Sequence, residues 1–513
     1  MNRQINGLKS FRRAAAAVAT AIALTLAALH ADVRPAPLFG DDMVLQRDLP
    51  VPVWGSAEPG EKVTVTFGAQ SVSTLADASG QWRVSLAPLA ASREPAELVI
   101  AGKSTVLIRN VVVGDVWLCS GQSNMELPVR RTKDAKQEIA SADFPLIRQF
   151  AVKHTVGPSP AATVEAQWAV CQPATVAEFS AVAFYFGRQL HRQLGVPIGL
   201  LHASWGGTPI ESWMSRAALK SDPAFAPVFT RWADSLAASP GKQAAYEAAL
   251  EKWKKDGEAA RAAGTKFSRR APARPEGEGS RFEPAGLYNG MIAPLVPAAI
   301  RGVIWYQGEN NAPRYAEYAR LFGTMIQQWR YDFKQPALPF YFVQLANLQR
   351  KTDPTDREWA FQREAQAKVL ALPHTGMAVT IDIGDPNNIH PTNKQDVGRR
   401  LALVALADTY GRTEECSGPR LAGMKRDKAA LRLTFTHAAG LRSADPDLPG
   451  FELAGPDHGF YPATARIEGE SIVVRSDRVP EPVAVRYAWH NAPPAPLYNG
   501  ADLPAAPFRS DNW

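Results

Sequence analysis

The chain has 513 residues, 46% hydrophobic and 21% charged, with a formal charge of +7 at pH 7. That is ordinary globular material and more chain than one core uses, so about two to four domains are expected. The positive balance does not argue for a nucleic-acid partner. Part of it lies in the N-terminal segment and the patch 266–274, and no aromatic-basic motif accompanies it.

In chain order, Arg3, Lys9, Arg12 and Arg13 precede an apolar run over 14–29, with Ala31 as a small residue for cleavage. Residues 1–31 therefore read as a secretory signal, and the mature protein is expected to be periplasmic or secreted. No later stretch approaches the ~20 apolar residues of a membrane span, so no membrane association is expected after cleavage. Three cysteines are too few for a disulfide scaffold, although one Cys119–Cys171 or Cys171–Cys416 bond is open.

Residues 32–109 alternate apolar and polar positions at 51–54, 62–67 and 81–85, with turns at Pro59-Gly60 and Ser79-Gly80. A small antiparallel β-domain is expected. From 110 to about 412 the pattern changes. Apolar strands near 116–119, 197–203, 302–306, 340–345 and 377–382 alternate with helical stretches at 179–194, 315–329, 359–370 and 393–410. Near-continuous apolar strands joined by helices predict an α/β domain whose parallel sheet is covered on both faces. A polar insertion at about 240–285 interrupts it, helical over 244–263 and loop-like over 269–281. Residues 413–513 return to β-patterns at 431–435, 471–475 and 482–487, giving a second flanking β-domain.

Sites in open parallel sheets form at the carboxyl ends of the strands. Four strand-end clusters fall there: Gly121-Gln122-Ser123-Asn124-Met125, Ser204-Trp205-Gly206-Gly207-Thr208, Gln307-Gly308-Glu309-Asn310-Asn311, and Asp382 to His390. Each alone has a bland reading, such as a turn serine, a tight glycine turn or a capping histidine. Together they supply acyl-transfer chemistry. Ser123 is the candidate nucleophile and His390 the candidate base. The Ser123 amide, Gly206 or Gly207, and the Gln307 side chain are candidate oxyanion donors. Gln122, Asn124, Trp205, Glu309 and Asn310 are candidates to meet the substrate. Glu126 and Glu309 are further acids near the site, and a glycosidase carboxylate pair has no other support. No metal-ligand spacing is visible, and no cofactor is expected.

The runs Trp117-Leu-Cys-Ser-Gly-Gln-Ser-Asn-Met125, Trp205-Gly-Gly-Thr208, Trp305-Tyr-Gln-Gly-Glu-Asn310 and Ile389-His-Pro-Thr-Asn-Lys394 resemble the sialate O-acetylesterase-like carbohydrate esterases of the SGNH (GDSL-like) hydrolase superfamily. The likeness runs from Phe39 through Phe508-Arg509, nearly the whole mature chain. It implies a three-layer, flavodoxin-like parallel sheet. It also implies removal of O-acetyl groups from an acetylated oligosaccharide or polysaccharide, bearing sialic acid or a plant hemicellulose such as xylan or xyloglucan. By the resemblance Ser123 is the nucleophile, His390 the base, and Gln307 replaces the asparagine of many relatives. One departure stands out. Many such enzymes carry the triad aspartate three residues before the histidine, where this chain has Asn387. Asp385 is the expected acid, with Asp382 or a Ser–His dyad as alternatives. A glycan-binding protein without turnover is the competing functional expectation.

Overall fold

The computed structural model describes residues 32–272 and 275–513. The expected secretory signal at 1–31 lies outside the described residues. The central sheet uses seven strands in the order β3-β2-β4-β1-β5-β6-β7. They are β1 (Thr105–Gly121), β2 (Phe144–Ala151), β3 (Trp168–Cys171), β4 (Ile198–Ser204), β5 (Gly302–Tyr306), β6 (Phe340–Val343) and β7 (Thr375–Ala378). Neighbours from β2 through β7 run parallel, and β3 is an antiparallel edge strand.

Why these segments form buried strands follows from their side chains. Every residue of β5 and β6 is buried, which the unbroken apolar runs Gly-Val-Ile-Trp-Tyr and Phe-Tyr-Phe-Val permit. Along β1, Leu118 enters one apolar cluster while Trp117 and Cys119 enter another, the alternation a pleated strand imposes. The first cluster takes Tyr318, Phe322 and Trp329 from the Tyr315–Asp332 helix. The second takes Phe184 and Leu190 from the Ala181–Leu194 helix and Leu401 and Ala405 from the Lys394–Asp408 helix. Losing one such buried ring, as in Trp305→Ala, costs ~3–5 kcal/mol.

Two expectations change. The domain boundary at 109/110 falls inside β1, a single strand of 17 residues. Its first half pairs antiparallel with Ser92–Ala101 and its second half joins the central sheet, so both parts share one 11-stranded mixed sheet. Asn110, within this strand, has a positive φ of 56°. The insertion helix is also longer than expected, Ala226–Ala262 with Pro240 inside it, and Val228 is its one buried residue. A helix polar nearly all round does not pack into a core. The strands β2 and β3 had no counterpart in the sequence reading.

The C-terminal part is a seven-stranded sheet running from Arg420–Asp427 to Phe508–Arg509. It docks beside the central sheet through Arg363, fully buried, whose guanidinium donates to the carbonyls of Leu345, His490 and Asn491. Cys119, Cys171 and Cys416 are all free thiols, so neither of the two open disulfides forms. Among the described residues no helix is long and apolar enough to cross a membrane.

Candidate active site

Register puts three of the four clusters level with one another. Gly121, the last residue of β1, stands opposite Ser204 of β4 and opposite Tyr306 of β5. Immediately beyond, the Gln122 N–H donates to the Tyr306 carbonyl at 2.9 Å and the Trp205 N–H to the Gly121 carbonyl at 3.1 Å. Gly121 has φ 139°, and a Cβ there would meet the Tyr306 carbonyl, so glycine is required. The chain then turns into a short helix, Ser123–Glu126, that starts with Ser123.

The fourth cluster arrives from the far edge, after β7. The His390 Nε2 stands 2.8 Å from the Ser123 Oγ, and both residues are half-buried. Burial lowers the His390 pKa from its ordinary 6.5, and the charges of Lys394 and Arg131 add to this, while Glu126 opposes. The imidazole is thus largely neutral near pH 7, the form that accepts a proton.

A buried network holds these two residues together. Asn124 donates to the Glu309 Oε1 at 2.6 Å and to the Ile389 carbonyl at 2.9 Å. The Lys394 Nζ donates to the Asn124 Oδ1 and to the Pro391 carbonyl, both at 2.7 Å. Lys394, Asn124 and Glu309 are all buried. Burial pushes the Lys394 ammonium down to about 7, against the pull of Glu309, and pushes the Glu309 carboxyl up, against Asn124 and Lys394. The sequence reading took Asn124 and Glu309 as substrate contacts. Their burial and partners make them a brace between the Ser123 helix and the His390 loop. Gln122 is likewise buried, accepting from the Gly308 and Asn310 N–H groups at 3.4 Å.

The expected acids do not reach the imidazole. The Asp385 Oδ1 accepts the Asn387 N–H at 2.9 Å, a local turn that keeps the carboxylate within its own loop. Asp382 is claimed by Arg400 in a two-pronged ion pair at 2.6 and 2.7 Å, with the Tyr498 hydroxyl at 3.2 Å. Among the described residues, no hydrogen bond or ion pair joins either aspartate to His390.

The oxyanion donors also differ from expectation. Gln307 is fully buried, and its Nε2 is committed to the Thr208 carbonyl at 3.2 Å and the Asn311 Oδ1 at 2.7 Å. Its Oε1 accepts from the Tyr318 hydroxyl at 2.9 Å. It is a scaffold for the loop, with both side-chain N–H groups committed. The Gly206 N–H is also occupied, by the Glu126 Oε2 at 2.6 Å. The Ser123 N–H, the Gly207 N–H and one side-chain N–H of Asn310 are among the donors here without a partner among the described residues. The Asn310 Nδ2 spends its other hydrogen on the Gly207 carbonyl at 2.8 Å. Gly207 has φ 75°, a left-handed turn natural to glycine. Trp205 is half-buried and stacks on His154 with ring centroids 4.2 Å apart. It lines a cavity of about 480 Å³ shared with Gln243, Arg281 and Phe282 of the insertion. No cluster of three or more metal-ligating side chains occurs among the described residues.

Lys394 was not singled out in the sequence reading, which took Glu126 only as a further acid near the site and Asn310 only as a candidate substrate contact. Glu126 alone carried a usable signal, standing three residues after Ser123 and hence on the same helical face.

A hydroxyl, a neutral imidazole and unpartnered N–H groups at one rim of a parallel sheet make up the equipment of acyl transfer. Comparison with known proteins points to an acetylesterase. Residues 263–407 match the family model for carbohydrate esterase, sialic acid-specific acetylesterase. The chain is 31% identical to the sialate O-acetylesterase of Rattus norvegicus, across 91% of this chain and 92% of that protein. It is 29% identical to the Homo sapiens sialate O-acetylesterase, across 93% and 92%. The crystal structure of a carbohydrate acetylesterase from Xanthomonas citri superposes with a TM-score of 0.79 at 38% identity, covering 94% of this chain and 100% of that one. The chain belongs to the sialate O-acetylesterase family of carbohydrate esterases. It is a hydrolase of acetyl esters.

Proposed function

We propose that this protein is a serine O-acetylesterase of acetylated sugars, working through an acetyl-enzyme. The Ser123 Oγ attacks the acetyl carbonyl while His390 Nε2 takes its proton. The oxyanion that forms is met by the Ser123 and Gly207 N–H groups and the Asn310 amide. Collapse of this intermediate breaks the ester bond, and the imidazolium returns its proton to the departing sugar oxygen. Water, deprotonated by His390, then attacks the acetyl-serine and releases acetate, and the proton passes back to Ser123. The observation that carries this reading is the 2.8 Å contact between Ser123 and His390 across 267 residues of chain.

The names of the relatives favour acetylated sialic acid as the first substrate to test, ahead of acetylated xylan or xyloglucan. Trp205 offers an aromatic face to the cavity it shares with the insertion, suited to a sugar ring. The two apolar clusters on alternate residues of β1 support a three-layer SGNH-type arrangement. The basic and apolar N-terminal segment supports export to the periplasm or medium. The test is acetate release across a panel of acetylated sialic acids, xylan and xyloglucan oligosaccharides. Release from none of them, by a folded protein, rejects the sugar-esterase reading.

A further inference from the structure

In this site the His390 Nδ1 has no carboxylate on it, yet one carboxylate stands beside the nucleophile. Glu126 lies three residues after Ser123 in the same short helix, a spacing that places both side chains on one face. Two groups from other segments fix it. Its Oε2 accepts the Gly206 N–H at 2.6 Å, and its Oε1 is 3.2 Å from the His154 Nε2. The same His154 nitrogen is 3.0 Å from the Ser204 carbonyl, which only accepts, so Nε2 carries the proton. Trp205, stacked on the His154 ring at an interplanar angle of 7°, sets the ring's plane. A Cβ on Gly206 would stand 2.9 Å from the Glu126 Oε2 and 3.2 Å from the Ser123 Cβ, so carboxylate and nucleophile flank the same glycine.

We infer that Glu126 is the acidic partner of this site: a positioning residue on the nucleophile's own helix whose charge stabilises the His390 imidazolium through space. The inference rests on the esterase reading above. Glu126 stays ionised throughout and exchanges no proton. Burial works to raise its pKa, but the hydrogen bonds from His154 and the Gly206 N–H hold it below the usual carboxylate range. His202 is kept neutral by burial, its pKa brought down to about 4. Facing His390, Lys394 and Arg131 disfavour the imidazolium and Glu126 favours it. By occupying the Gly206 N–H, Glu126 also fixes the Trp205-Gly206-Gly207 turn and leaves the Gly207 N–H for the oxyanion.

The experiment uses Glu126→Gln, which keeps an acceptor oxygen for Gly206 and removes the charge. The expected result is a fall in kcat of about tenfold or more with KM little changed. The acid limb of kcat/KM moves down by about half a pH unit, because loss of a nearby anion lowers the imidazole pKa. Glu126→Asp, which keeps the charge, restores the wild-type limb. The His390 imidazole titration, followed by NMR in wild type and Glu126→Gln without substrate, reads the same shift independently of turnover. An unmoved imidazole titration, or a Glu126→Gln enzyme with wild-type kcat and acid limb, overturns the inference. Absence of acetate release by wild type, with the imidazole shift intact, would instead be a failure of the esterase reading.

Discussion

The Lys394 ammonium sits 2.7 Å from the Asn124 side-chain oxygen, joining the helix that follows His390 to the residue that follows Ser123. This contact spans 270 positions in sequence and lies in the buried interior. It fixes Ser123 and His390 relative to each other, and it places a cation close to the imidazole.

Lys394→Met should therefore act in two ways. It leaves the Asn124 Oδ1 and the Pro391 carbonyl without their donor, a loss of ~1–3 kcal/mol read in thermal or urea unfolding. It also removes a charge that disfavours the imidazolium, so the acid limb of kcat/KM moves to higher pH. A variant that loses stability but keeps the wild-type limb would assign Lys394 a purely structural part.

Wild-type pH dependence follows from the same environment. Burial first, then Lys394 and Arg131, lower the His390 pKa below 6.5. The base works unprotonated, so a lowered pKa keeps it competent as the pH falls through 6.5. The kcat/KM profile should hold its plateau there and decline only in more acidic buffer. A limb above 6.5 contradicts this. His390→Ala should lower kcat by roughly 10²–10⁴-fold, the usual worth of a positioned general base.

Asn310 and Gln307 should separate cleanly. Asn310→Ala removes a donor free to meet the oxyanion, and kcat should fall about 10²–10³-fold with KM and unfolding midpoint near wild type. Gln307→Ala strips partners from the buried Thr208 carbonyl, Asn311 and Tyr318, so it should lose stability first, by ~1–3 kcal/mol. The opposite pattern, a stable Gln307→Ala with kcat collapsed, would restore Gln307 to the oxyanion hole.

The sequence showed which strands end in polar clusters and that Ser123 and His390 belong together. Strand position is encoded in runs of apolar residues, and β5 matches its expected limits of 302–306. What it did not show is where a loop side chain turns after the strand ends. Gln307 and Asn310 lie in one loop with the same amide chemistry. Which one folds inward is decided by Tyr318, Thr208 and Asn311, distant in sequence. Asp385 and Asp382 are ambiguous for the same reason, since the Asn387 N–H and Arg400 compete for them. The strand β2 was missed because its Phe-Pro-Leu-Ile-Arg-Gln-Phe-Ala run carries a proline and a buried arginine. Arg148 is satisfied there by the Met43 carbonyl and by Asn110.

Asp382→Asn tests the alternative acid. Arg400 and Asp382 have side chains only 5% and 6% exposed, so breaking the pair strands a buried guanidinium at a cost of ~3–5 kcal/mol. Unfolding should show that loss, while the folded fraction keeps kcat within a few-fold of wild type. Loss of kcat by orders of magnitude without loss of stability would make Asp382 part of the catalytic apparatus.

Acetate release from an acetylated sugar by purified wild type and Ser123→Ala, side by side and with folding checked, bears most directly on the whole account. Turnover by wild type and a fall of at least ~10³-fold in the variant is the result expected of a nucleophilic serine. Comparable release by the two proteins would contradict it.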